Sequence, residues 1–168
     1  MVQDSNLNVA FDPRSIAVVG ASSDDKAEKV GWVGRLQEFG FKGKIYPINP
    51  KASVILGLTA YPSVKAVPEP IDYAIVSIRS SFVPGVLRDC IAKGVKVVHI
   101  FSAGFAETGM DEGKKLQEEV ISIIKEARSG LSGRTVWVFT TRRPDLPLTC
   151  VFPVRRVMSG LFPRQERE

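Results

Sequence analysis

The stretch that most limits the fold is Ser15-Ile-Ala-Val-Val-Gly-Ala-Ser-Ser23, an apolar, β-branched run that stops at a glycine and passes into small polar residues. An unbroken apolar run from Ile16 to Val19 suits a strand covered on both faces, the condition of strands in parallel sheets. Gly20 can adopt backbone angles closed to other residues. The N–H groups of the loop that follows, with the N-terminus of the next helix, then make an anion site. Strand, glycine turn and helix entry in that order open a Rossmann-like domain, so a nucleotide-type ligand is the first expectation. Taken alone, the same residues are a core strand and a turn.

At 168 residues the chain suits one domain with room for an appendage, and its core needs no disulfides. Cys90 and Cys150 have neither metal-binding nor redox spacing. No apolar run approaches the roughly 18 residues of a membrane span. The polar, acidic start MVQDSNLNVAFD is unlike a signal or transit peptide, and a soluble cytoplasmic protein is expected. The net charge of +5 is unevenly placed: residues 1–127 hold 15 Lys and Arg against 15 Asp and Glu, and residues 128–168 hold 8 against 3, every cation there an arginine. Nucleic-acid surfaces mix lysine and arginine with stacking aromatics on folded elements. The body of this chain lacks that excess, so neither nucleic acid nor membrane is an expected partner.

Along the chain, a polar lead-in ends at Phe11-Asp-Pro-Arg14, with Phe11 expected to pack under the sheet edge. Residues 27–39 place Val30, Val33 and Leu36 at helical spacing, and Gly40 can close that helix. A second strand at 44–48 exits through Asn49-Pro50-Lys51, and residues 52–70 are rich in turn formers around a small segment at 56–62. Residues 71–78 are apolar at nearly every position, as a third buried strand should be. A helix over 82–93 ended by Gly94, a fourth strand over 95–101 and a strongly patterned helix over 111–127 follow. Strictly alternating strands and helices imply an α/β fold, a Rossmann-like doubly wound parallel sheet, with ligands at the carboxyl ends of the strands.

A dinucleotide fingerprint needs G-x-G-x-x-G at the first turn and an acid about 20 residues on to hold a ribose hydroxyl. Here no glycine follows Gly20 until Gly31, and the second strand ends in a lysine. A lysine there attracts a phosphate, which favours coenzyme A, with its pyrophosphate and 3′-phosphate, or NADP over NAD. Lys51 as a solvated surface residue is the competing reading.

The segments FDPRSIAVVGASS, GFKGKIYPINPKA, ILGLTAYPSV, PEPIDYAIVSI and GVKVVHIFSAGFAETG with GKKLQEEV, in this order, closely resemble the CoA-binding domain of ADP-forming acyl-CoA synthetases. That group includes ADP-forming acetate–CoA ligases and is related to the alpha subunit of succinyl-CoA synthetase. The resemblance spans about residues 7–127. It implies that Gly20, Ala21, Ser22 and Ser23 cradle CoA phosphates, that Asn49, Pro50 and Lys51 add polar and basic contacts, and that Ser77, Ile78, Ser102, Ala103 and Gly104 line the same edge. Where the family usually has Val-Pro after the third strand, this chain has Ile78-Arg79, which leaves the role of Arg79 open.

The family's complete reaction joins an organic acid to CoA at the expense of a nucleoside triphosphate, through an acyl phosphate and a phosphorylated histidine. The resemblance places that histidine in a later domain, so the partners it implies are CoA or an acyl-CoA and the remaining ligase and nucleotide-grasp parts. His99, the one histidine of the chain, lies in an apolar strand and reads as a packed residue. Glu118 and Glu119 are adjacent on a helix and point about 100° apart. Cys90 reads as a small core residue, and Ser102-Ala-Gly104 lacks the G-x-S-x-G of a nucleophile turn. A CoA-binding module, inactive on its own, is the expectation. A stand-alone NAD(P)-binding sensor or interaction module is the alternative.

After Ala127 the resemblance stops where the family would give a fifth strand running into Gly-Pro-Asn-Cys. Codons for residues 134–146 can be chosen so that an overlapping frame spells Pro-Asn-Cys-Val-Gly-Val-Tyr-Asn-Pro-Glu-Ala-Gly-Leu. The expected division is therefore a CoA-binding domain over 1–127 and an Arg- and Pro-rich tail over 128–168 read out of frame, leaving a truncated remnant. Residues 135–140 remain able to mimic the fifth strand through the β-propensity of Val-Trp-Val-Phe.

Overall fold

The computed structural model describes residues 7–22, 31–129, 137–140 and 151–152. In chain order it runs α1 (Leu7–Phe11), β1 (Ser15–Val19), α2 (Trp32–Glu38), β2 (Lys44–Ile48), a hairpin of β3 (Val54–Ile55) and β4 (Leu58–Thr59), β5 (Tyr73–Val76), α3 (Val83–Lys93), β6 (Val97–Ile100), α4 (Asp111–Ser129), β7 (Trp137–Thr140) and β8 (Val151–Phe152). The main sheet has the order β2-β1-β5-β6-β7-β8, parallel throughout except for the last pair. The chain leaves β1 for β2 on one side and returns through β5 on the other. The order therefore reverses at β1, which opens a crevice at the carboxyl ends of β1 and β5.

Alternation along the strands divides the core. Ala17, Val19, Tyr46, Ile48, Ala74, Val76, Val98 and Ile100 pack with residues of α3 and α4, including Leu87, Cys90, Val120 and Ile123. Ile16, Val18 and Ile75 face the other way, onto Val33 of α2 and Ile55 of the hairpin. Each such fully buried aliphatic side chain contributes about 1.5–3 kcal/mol. Cys90 is the small core residue its surroundings suggested, with no exposed surface.

Helix ends follow local chemistry. α3 begins at Val83 rather than 82, because Ser80–Phe82 forms a separate 3-10 turn and Pro84 suits the first helical turn. Gly94, at φ +79°, closes α3, and Gly40, at φ +67°, follows α2. The third strand is shorter than the apolar run predicted. Asp72, just before it, keeps its carbonyl on Val97 N–H at 2.9 Å and turns its side chain to a polar tie across the amino end of the sheet. There Asp72 accepts from Lys96 at 2.6 Å and from the Arg14 N–H at 3.0 Å, and Glu69 accepts from Lys44 and from Tyr46 Oη. Burial works against the charge on Asp72, yet Lys96 and the Arg14 N–H hold its carboxyl below the ordinary value.

Phe11 does not pack under the sheet edge. It ends the short α1 with 84 % of its surface exposed, and Val9 of the same helix faces the amino-end cavity instead. Pro47 sits in the outer strand β2. Its carbonyl accepts from Tyr61 N–H at 2.9 Å on the side away from β1, so its missing donor faces outward. No helix among the described residues is long and apolar enough to cross a membrane. Cys150 and the tail beyond 152 lie outside the described residues.

Candidate functional site

The crevice is assembled from strand exits. β1 turns at Gly20, whose φ is +89°, and a Cβ at that position would stand 2.2 Å from the Ser77 carbonyl oxygen and 2.8 Å from Ile78 Cγ2. Only glycine lets the first loop lie this close to the exit of β5. On its other flank the Gly20 N–H donates to the Ile48 carbonyl at 3.2 Å, while Ser77 N–H donates to Val19 at 2.9 Å. The loop is thus fixed from both neighbouring strands. Ala21 is buried and Ser22 exposed. Ser23 lies outside the described residues.

The exit of β2 is shaped by Asn49. Its Nδ2 donates to the Ala21 carbonyl at 2.8 Å and its Oδ1 accepts from Lys51 N–H at 2.7 Å, so the amide builds the two loops into one wall. Pro50 and Lys51 are exposed. The Lys51 ammonium has no partner among the described residues, and none of the ion pairs there involves it or Arg79.

The exits of β5 and β6 are joined by Ser102, whose Oγ accepts from Ile78 N–H at 3.3 Å and donates to the Val76 carbonyl at 3.4 Å. The hydroxyl predicted as a lining group is therefore a buried tie. Gly104, at φ +107°, lies against the next loop, since a Cβ there would stand 2.6 Å from Ser80 Oγ. Ala103 is exposed, and Gly104 N–H donates to Glu107 at 2.6 Å. The structure thus brings the predicted residues 20–22, 49–51, 77–78 and 102–104 to one edge.

Sequence reasoning missed an aromatic pair at this edge. Trp32, which opens α2, meets Phe101, which follows β6, edge to face with centroids 4.9 Å apart, and Phe101 stays 44 % exposed. The two residues are far apart in the chain, and no periodic signal links them. His99 is not among the edge residues. It sits within β6 with Nδ1 3.1 Å from Tyr73 Oη, and burial lowers its pKa while pushing the Tyr73 hydroxyl up to about 12.

Backbone N–H groups, two cations and small residues around a glycine cradle can hold phosphates and the slender chain attached to them. A cavity of about 670 Å³ lies at the opposite, amino end, lined among others by Arg14, Lys44, Glu69, Asp72 and Lys96. Glu69 and Asp72 are already engaged there by the polar tie, so the cavity is part of what closes that end of the sheet.

Residues 14–141 match the family model of the CoA binding domain. The chain is 38 % identical over 138 residues to the alpha subunit of acetate–CoA ligase (ADP-forming) I from Pyrococcus furiosus, covering 79 % of this chain and 29 % of that protein. It is 43 % identical over 117 residues to 4-hydroxybutyrate–CoA ligase (ADP-forming) from Nitrosopumilus maritimus, covering 69 % of this chain and 16 % of that protein. Among solved structures, a dinucleotide forming acetyl-coenzyme A synthetase 1 of Ca. Korarchaeum cryptofilum, in complex with phosphate and ADP, superposes with a TM-score of 0.66 at 40 % identity, covering 77 % of this chain and 26 % of that one. The chain spans less than a third of the length of these relatives.

Proposed function

Since this chain belongs to the family of CoA binding domains, we propose that its carboxyl-edge crevice holds CoA or a short acyl-CoA for an ADP-forming acyl-CoA synthetase. The observation that carries the reading is the Gly20 cradle, where a Cβ would fall 2.2 Å from a neighbouring carbonyl. The glycine lets the loop after β1 lie against the exit of β5, which puts the loop N–H groups at the edge where a pyrophosphate can meet them. In this reading the loop N–H groups and the exposed Ser22 meet that pyrophosphate. Asn49 holds the loop in place, and Lys51 supplies positive charge to the 3′-phosphate.

The bound molecule would bring its own reactive thiol, and the chain's residues bind and orient it. The acid in the names of the relatives above differs, acetate in one and 4-hydroxybutyrate in the other, and the CoA reading is the same for either. Thermal shift of the full chain with CoA, acetyl-CoA, NAD and NADP in parallel tests the reading. Stabilisation by CoA and acetyl-CoA alone supports it. Stabilisation by NAD or NADP without CoA would replace it with the sensor alternative.

A further inference from the structure

We propose that Arg79 is a second phosphate-reading residue of this site, taking the pyrophosphate of CoA from the side opposite Lys51. This inference rests on the CoA reading above and assigns a group within it.

The argument begins with sheet order. β1 lies between β2 and β5, so the exit of β1, with Gly20, has a neighbour on each side. The exit of β2 carries Lys51 and the exit of β5 carries Arg79, both exposed and neither in an ion pair or hydrogen bond through its side chain among the described residues. Lys44, Lys65, Arg88, Lys96 and Lys114 are matched to carboxylates, and the other exposed lysines outside those ion pairs, Lys42, Lys115 and Lys125, do not follow β1, β2 or β5 at this edge.

The backbone before Arg79 is fixed. Ile78 touches the space beside Gly20 with Cγ2, and its N–H is held by Ser102 Oγ at 3.3 Å. Arg79 precedes the 3-10 turn Ser80–Phe82 and makes no side-chain cap to it, so its guanidinium has no structural duty there. Strands β2 and β5 are two sheet spacings apart, about 10 Å. CoA carries its anions as two separate groups, a 3′-phosphate and a 5′-pyrophosphate, divided by one ribose. Two cations divided by one strand suit two anions divided by one sugar. The planar fork of arginine suits the pyrophosphate, where two oxygens can be met at once.

The test is titration calorimetry of the full chain with CoA, dephospho-CoA and pantetheine, comparing wild type, Arg79→Met, Arg79→Lys and Lys51→Ala. Arg79→Met is expected to weaken CoA and dephospho-CoA equally, by about ten-fold or more. Pantetheine, which has no phosphate, should be unaffected. Arg79→Lys should restore part of the loss, and thermal melting without ligand should be unchanged because the side chain is exposed. The losses of Lys51→Ala and Arg79→Met should add in the double variant, as for contacts to separate groups. Wild-type binding of CoA with no loss in Arg79→Met would overturn this assignment alone. So would a loss for CoA without a loss for dephospho-CoA, which would move Arg79 to the 3′-phosphate. A wild type that binds neither CoA nor dephospho-CoA would instead remove the reading on which the assignment rests.

Discussion

Asn49 Nδ2 donates to the carbonyl oxygen of Ala21 at 2.8 Å, joining the turn after β2 to the loop after β1. The same amide accepts from Lys51 N–H, so one side chain ties the loop after β1 to the backbone of Lys51. Asn49→Asp keeps the shape but turns an acceptor towards an acceptor. It should cost about 1–3 kcal/mol of stability and weaken CoA further than that loss alone explains. Urea denaturation with calorimetric binding checks this, and an unchanged Kd for CoA would remove Asn49 as the organiser of the loop.

Gly20→Ala meets two obstacles, a positive φ and a backbone oxygen 2.2 Å from the new Cβ. Because the clash is with main chain, it cannot be relieved by turning a side chain. Loss of at least about 2 kcal/mol is expected, with CoA binding lost in whatever folds. A fully stable variant with normal binding would show that the loop does not lie against Ser77.

Lys51→Ala should weaken CoA by about 1–2 kcal/mol, roughly five- to thirty-fold, and dephospho-CoA much less. A single ammonium offers a charge-assisted contact but no fork, which limits the size of the loss. Equal losses for the two ligands would take the 3′-phosphate away from Lys51.

His99 gives the fold a pH dependence. Burial lowers its pKa, so the unfolded chain binds the proton more readily than the folded one. The contribution to stability is therefore complete above the ordinary histidine value and declines as pH falls below it. Among the groups that face it are Tyr73 through Oη and Phe101 edge to face, neither of which carries charge at these pH values. His99→Gln should flatten that part of the profile of urea midpoint against pH. An equally steep decline in the variant would assign the slope elsewhere.

Much of this architecture is legible in the chain because burial on both sides leaves an unbroken apolar signature, as at Ile16 to Val19. Gly94 and Pro84 likewise announce the ends of α3 through backbone chemistry alone. The edge residues were legible as a set, since they follow strands, but their individual duties were not. Ser102 and Asn49 are hydrogen-bonded to main chain brought in from other strands, and a side-chain amide or hydroxyl carries no mark of which carbonyl it will meet. The Trp32–Phe101 pair and the Asp72–Lys96 pair are hidden for the same reason. Asp72 in particular lies within an apolar run, and its side chain serves a polar tie that the run does not announce.

The tail carries a prediction about the gene. Residues from about 128 onward are proposed to be read out of frame, on the grounds that an overlapping frame can spell the motif expected after a fifth strand. β7 at Trp137–Thr140 has the β-branched and aromatic residues that let an altered sequence still pair with β6. Sequencing the gene decides the matter: a shifted frame near codon 130 should yield Gly-Pro-Asn-Cys, and any other product ends the idea.

Pro47 bears on how this molecule meets others. With Tyr61 occupying its carbonyl and no amide proton of its own to offer, the outer rim of β2 presents an interrupted row of donors and acceptors. A foreign strand cannot zip along it, so fibre-like growth from that margin is disfavoured, and association with larger assemblies falls to side-chain surfaces instead.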